Sequence, residues 1–142
     1  MDFVIGLDVG TAGSRAVAVG ADGRVLAVAA MSHPSMLTGP GRIEQDPADW
    51  WESAAGCLRS VAQRAGPAPL AVGVSGQMDG PVLIGADGRV LGTCHIWADS
   101  RGTAECGQIT GLIGAERLIA VAGKPCVRRQ WVKPSTQLLA AA

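Results

Sequence analysis

The first third of the chain alternates apolar and polar positions in short blocks, each cut by a glycine-bearing turn. Residues 3–9, 15–20 and 24–30 carry the pattern of three short strands. The second and third are joined by Ala21-Asp22-Gly23, a strong hairpin signal. The stretch 20–26 (GADGRVL) recurs identically at 85–91. In both copies Asp-Gly supplies the turn and Val-Leu starts the return strand. Residues 31–44 hold His33-Pro34, Thr38, Gly39, Pro40 and Gly41, which predicts a loop, long for a compact domain and of the kind that often carries function. A helix follows. Asp46 caps it, Pro47 suits its first position, and Asp49 adds negative charge near its positive end. Trp51, Ala54, Ala55, Leu58, Val61, Ala62 and Ala65 recur at helical steps, with Trp50 and Trp51 read as packing anchors, and Gly66-Pro67 stops the helix. Residues 70–74 predict a strand buried on both faces. It runs into Ser75-Gly76-Gln77-Met78-Asp79-Gly80, a polar turn at the end of a strand where open α/β sheets bind ligands. Residues 82–84 and 90–97 flank the second Asp-Gly turn. Asp99 or Ser100 is then placed to cap a helix over 101–110, interrupted by Gly111 and Gly114, and a short helix over 116–122 ends at Gly123. Hairpin strands, a helix, a buried strand, another hairpin and further helices add up to a mixed sheet with helices packed on it.

Composition narrows the function classes. A length of 142 residues predicts one domain, and with one Phe, four Trp and no Tyr its core must be mostly Ala, Val, Leu and Ile. The net charge of zero gives no support for a nucleic-acid partner or a membrane surface. No apolar run approaches the roughly 18 residues a membrane helix needs. The first residues carry acids and no basic leader, which predicts no secretory signal. Cys57, Cys94, Cys106 and Cys126 are widely spaced, without a C-x-x-C pair and without His33 or His95 at ligand spacing. Reduced thiols in a cytoplasmic protein are expected, not a zinc site or a disulfide framework.

The chemistry is concentrated in residues 6–15, GLDVGTAGSR, directly after the apolar run of the first strand. Glycines at Gly10 and Gly13 let main-chain N–H groups approach an anion closely. Thr11 and Ser14 add hydroxyls, and Asp8 places one carboxylate where a hard cation would sit. The element is strand–turn–strand. A Walker-type loop is strand–turn–helix and ends in Gly-Lys-Ser/Thr, which this turn lacks. Taken alone, the turn equally suits a tight hairpin that binds nothing.

Four motifs in order resolve that choice. They are the turn at 6–15, Glu44-Gln45-Asp46-Pro47 before Trp50-Trp51, Ser75-Gly76-Gln77-Met78, and Trp97-Ala98-Asp99-Ser100-Arg101. Together they resemble the N-terminal part of an FGGY-type carbohydrate kinase, most like a xylulokinase, over about residues 4–125. The resemblance implies a ribonuclease-H-like α/β fold of the actin, Hsp70 and sugar-kinase type, with an incomplete first lobe over 1–125 and a divergent tail over 126–142. It implies ATP and Mg2+ as cofactors, with Asp8 at the metal and Gly10, Thr11, Gly13, Ser14 and Arg15 along the phosphates. It implies that Gln77, Met78 and Asp79 border a sugar or polyol, that Trp97 lines its pocket, and that Asp99 and Arg101 brace it. An ion pair that only fixes the loop is the competing reading for Asp99 and Arg101. The reaction would be phosphoryl transfer to a pentulose or polyol hydroxyl, which depends mainly on positioning and charge neutralisation.

Two departures qualify the resemblance. Asp79 stands where the xylulokinase-like pattern has His, which puts xylulose in doubt as the substrate. Lys133-Pro134 inverts the Pro-Lys order of the family. The general base is expected beyond Ala142, as in a truncated or frameshifted piece of a longer kinase. The chain alone is therefore expected to show no turnover, and to associate with itself through apolar surface that a missing lobe would cover. A non-catalytic phosphate- or sugar-binding module, or a degenerate remnant, is the alternative.

Overall fold

A computed structural model describes residues 2–123, 125 and 126. In chain order the elements are β1 (Phe3–Val9), β2 (Gly13–Gly20), β3 (Val25–Ser32), β4 (Met36–Gly39), β5 (Arg42–Gln45), α1 (Pro47–Ala65), β6 (Ala71–Gly76), β7 (Cys94–His95), α2 (Thr103–Ile113) and α3 (Ala115–Ala122). The chain divides into two compact units: Met1–Ser35 with Asp46–Gln77, and Met36–Gln45 with Met78–Ala142. The predicted tail from 127 onward lies outside the described residues.

The first unit is a four-stranded mixed sheet in the order β3-β2-β1-β6, with β6 parallel to β1 and the others antiparallel. Cross-strand partners share a face, so Leu7 opposite Ala16 points one way and Asp8 opposite Arg15 the other. Phe3, Ile5, Leu7, Ala16, Ala18, Ala27 and Ala29 form the face that packs on Ala54, Cys57 and Val61 of α1. Full burial of side chains such as Phe3, Ile5 and Leu7 stabilises the fold by about 1.5–3 kcal/mol each. The alanines on β2 and β3 let the helix lie close. A Cβ at Gly56 would collide with the Met31 side chain. Helix α1 begins as the sequence predicts: Asp46 accepts a hydrogen bond from the Ala48 N–H at 2.9 Å, Pro47 opens the first turn, and Gly66 closes the helix.

The repeated heptad folds the same way twice. Gly20 N–H donates to Arg24 O and Gly23 N–H to Gly20 O, and Gly85 and Gly88 repeat both bonds with Arg89 O and Gly85 O. Gly23 and Gly88 sit at φ 80° and 79°, where only glycine is unstrained. The second copy is flanked by a single bridge, Ile84 to Val90, and not by full strands.

Four expectations are corrected. The loop expected over 31–44 is largely strand: Met31 and Ser32 close β3, and residues 36–45 form the β4–β5 hairpin, which pairs through β5 with β7 in the second unit. Strand β6 is not buried on both faces; all six of its residues are exposed, because α1 covers the three strands of the antiparallel part and β6 lies at the sheet edge. Trp51 is not a packing anchor: it is 74% exposed, and the buried face of α1 is turned toward Ser53, Ala54, Gly56, Cys57 and Val61. Neither Asp99 nor Ser100 side chain caps α2, whose N-cap is Gly102, and the helix runs through Gly111 to Ile113. The Asp99 carboxylate is committed elsewhere, as described below.

Candidate functional site

The predicted phosphate-side residues converge. Asp8, Gly10, Thr11, Gly13, Ser14 and Arg15 line one cavity of about 330 Å³ at the β1–β2 turn. A larger groove of about 760 Å³ runs along α1, past Met31, His33, Glu52 and Arg59, and none of the motif residues lines it. The smaller cavity is the candidate site, because the residues expected to meet phosphate line it.

The turn is built from backbone. Gly10 N–H closes it onto Gly13 O at 3.0 Å. Gly13 adopts φ 156°, and a Cβ there would run into the main chain at Met31 and Ser32 of β3. Gly10 has the Asp8 carboxylate beside it, 3.2 Å from where a Cβ would stand. Register places Asp8 between Arg15 on β2 and Ser75 on β6. The Ser75 hydroxyl donates to Asp8 Oδ1 at 2.8 Å, which orients the carboxylate. Among the described residues no group of three or more His, Cys, Asp or Glu could hold a metal ion by itself. One oriented carboxylate beside a glycine turn is nevertheless compatible with a magnesium ion shared with phosphates, since that ion keeps waters and substrate oxygens as most of its ligands. The residues present fit a metal polyphosphate, with Asp8 toward the metal and the turn toward the phosphates.

Ser14 departs from its expected role. It is 1% exposed, in phase with Ala16 and Ala18, and its hydroxyl lies 2.8 Å from Ser53 Oγ on α1. Its side chain faces the core and its backbone faces the cavity. Sequence reasoning also missed His33, whose ring bonds Gly10 O and Ser53 Oγ, both at 3.0 Å. The signal for Ser14 was strand parity: a small polar residue two and four positions before buried alanines. For His33 the only signal was its place next to the end of β3.

The sugar-side residues fall in both units. Gln77 belongs to the first, and its N–H donates to Val9 O at 2.9 Å, which extends the β1–β6 pairing by one residue. Met78, Asp79, Trp97, Asp99 and Arg101 belong to the second. Met78 is 76% exposed, and Asp79 holds φ 63°, a left-handed conformation that Asp tolerates better than most side chains. Trp97 stands at the corner of a turn closed by Asp99 N–H onto Ile96 O at 2.9 Å, and keeps 41% of its surface exposed.

Beneath that corner is a nearly buried charge cluster. The Asp99 carboxylate, 1% exposed, accepts from Arg101 Nη2 at 2.7 Å, Arg101 N at 3.1 Å and Ile43 N at 2.9 Å. Arg101 Nη2 also reaches Glu44 Oε1 at 2.7 Å. Thr38 and Thr93 donate to the two Glu44 oxygens. Burial opposes ionisation of Glu44, yet the hydrogen bonds from Thr93, Arg101 and Thr38 and the Arg101 charge outweigh it and hold the carboxyl below its usual range. Burial likewise opposes ionisation of Asp99 and is outweighed by Arg101 and by the Arg101 and Ile43 N–H groups. Arg101 is pushed up by the same two carboxylates against its own burial. The cluster joins the segment 96–101 after β7 to the β4–β5 hairpin, and Ser100 N–H to Gly41 O adds a main-chain tie at 2.8 Å. Glu44 of the second motif and Asp99 and Arg101 of the fourth thus meet in one structure.

The four thiols are free, and among the described residues no helix is long and apolar enough to cross a membrane.

Comparison with known proteins places this geometry. Residues 3–133 match the model of the FGGY family of carbohydrate kinases, N-terminal domain. The chain belongs to that family, whose members are phosphotransferases. A glycerol kinase from Xanthobacter autotrophicus is 32% identical over 80 residues, which are 54% of this chain and 16% of that protein. The crystal structure of a xylulose kinase from Rhodospirillum rubrum superposes with a TM-score of 0.85 at 30% identity, over 89% of this chain and 27% of that one. A Plasmodium falciparum glycerol kinase with ADP superposes with a TM-score of 0.85 at 13% identity, which shows the fold alone. The fold is that of the actin and Hsp70-like sugar kinases, present here as part of a domain. The chain spans under a third of the length of the proteins it matches.

Proposed function

We propose that this chain supplies the phosphate turn and part of the polyol pocket of an ATP-dependent carbohydrate kinase. The observation that carries the reading is the turn at 8–15: a carboxylate oriented by Ser75 stands beside a glycine turn whose backbone can receive an anion. Magnesium held between Asp8 and the phosphates would neutralise charge that develops on the transferred group. Arg15, opposite Asp8 on β2, adds a cation on the same face. The proton on the attacking hydroxyl needs a base within hydrogen-bond reach, and in this reading none of the residues named for the site is that base.

The acceptor in this reading is a pentulose or polyol hydroxyl, bordered by Gln77, Met78, Asp79 and Trp97, with Asp99 and Arg101 bracing the Trp97 corner. Relatives named for glycerol and for xylulose both match, and both remain acceptor candidates. Titrating the chain with magnesium-ATP, then with D-xylulose and with glycerol, tests the assignment. Nucleotide binding with measurable affinity for one of the two acceptors supports it. Polyphosphate binding with no response to either acceptor points to a non-catalytic phosphate module. Turnover by the verified 142-residue chain alone would contradict a base supplied from outside it. Exposed Val4, Val28, Val72 and Val74 on the sheet support self-association. Sedimentation is expected to show concentration-dependent oligomers, and a monomer at all concentrations would count against this.

A further inference from the structure

We propose that His33 is a positioning residue for the phosphate turn: it takes the turn's carbonyl groups out of the anion's way. The inference rests on the phosphate reading of the turn and adds the device that makes the turn receptive.

A peptide turn is ambivalent toward an anion. Its N–H groups attract and its C=O groups repel, so the cradle works only if the carbonyls are directed elsewhere. Three carbonyls of the β1–β2 turn are taken by donors from inside the protein. Gly13 O is held by Gly10 N–H. The other two are held by one residue: Gly10 O by His33 Nε2 at 3.0 Å, and Ala12 O by His33 N–H at 3.4 Å. A carbonyl only accepts, so Nε2 must carry its proton. The opposite ring nitrogen, Nδ1, is 3.0 Å from Ser53 Oγ, which also contacts Ser14 Oγ at 2.8 Å and Trp50 O at 3.1 Å. The ring is 7% exposed and is therefore fixed at both ends, by the helix behind it and the turn in front. Asp49, Glu52 and Arg59 of α1 share the groove on its outer side. Asp8 on β1 and Arg15 on β2 are the ionisable groups that line the turn's cavity. A histidine that only filled space would not need to meet two carbonyls of a single glycine turn.

Two conservative variants separate the two ends of the ring. In H33Q the amide nitrogen reaches the Nε2 position and can still donate to Gly10 O. In H33N it reaches only the Nδ1 position, keeps Ser53 and leaves Gly10 O free to swing outward. Binding of magnesium tripolyphosphate to the full chain is followed by NMR titration. We expect H33N to bind roughly tenfold more weakly than the parent, and H33Q to stay within about threefold of it. The chain has two histidines, so its ring-nitrogen spectrum assigns readily, and it is expected to show His33 protonated at Nε2. H33N and H33Q binding equally well, or a His33 ring protonated at Nδ1 alone, would overturn the proposal and leave the phosphate site standing. A parent chain that ignores tripolyphosphate while His33 is protonated at Nε2 would overturn the phosphate reading, and the role of His33 with it.

Discussion

The phosphate turn and the charge cluster under Trp97 are built by opposite means. The turn itself is made mostly of main chain and two glycines, with the Asp8 carboxylate at its edge, and its shape is set by the register of β1, β2 and β3. The cluster is made of side chains, two carboxylates and a guanidinium, drawn from segments more than fifty residues apart. A backbone site tolerates changes of charge nearby but not an added methyl group. A side-chain site tolerates small steric changes but not the loss of one partner, because that leaves a desolvated charge behind. One unit therefore carries steric constraint and the other electrostatic constraint.

Removing the guanidinium is the strongest way to expose that difference. R101M should destabilise the second unit by roughly 3 kcal/mol, because Asp99 and Glu44 are left without their shared cation. Chemical denaturation checks this, and a loss under about 1 kcal/mol would mean the cluster is solvated. Next comes G13A, which has no effect on charge but forces a Cβ into the main chain of β3. It should cost roughly 2–3 kcal/mol and abolish tripolyphosphate binding. Amide spectra should show the change confined to the first unit.

Acid sharpens the same contrast. Asp99 and Glu44 both ionise more readily in the folded chain than in the unfolded one. Their stabilisation is thus present above the unfolded carboxylate range and is lost as pH falls through the lower folded values, below about pH 4. The second unit should lose its amide protection there before the antiparallel strands of the first, whose core is apolar. The smallest effect belongs to the helix cap: D46A should cost about 1 kcal/mol, read as a lower melting temperature, without altering anion binding.

How far the sequence foretold all this follows from the same division. Local chemistry was legible. Asp46-Pro47 and Gly66 bound the helix, and the two Asp-Gly heptads form the same turn. The glycines at 10 and 13 were legible as turn formers, although what crowds Gly13 is the main chain of β3 at Met31 and Ser32, further along the chain. The β4–β5 hairpin was not legible. Its strands have four residues each and enclose Pro40 and Gly41; β4 is largely exposed, and the buried residue of β5 is the polar Gln45, so no apolar period announces them. What holds the hairpin is Asp99 and Ser100, far along the chain, bonding Ile43 and Gly41. The inward turn of Ser14 and the reach of His33 were hidden for a related reason. Both depend on which face of β2 meets α1, and a one-residue change of register would reverse it.

The central claim is that residues 8–15 hold a metal-bound polyphosphate. Titrating the labelled chain with tripolyphosphate, with and without magnesium, tests it directly through the amide signals. Saturable shifts at Asp8, Gly10, Thr11, Ala12 and Gly13 are predicted, with a magnesium dependence that D8N removes. Shifts that never saturate, that scatter over the surface arginines, or that persist unchanged in D8N would contradict it.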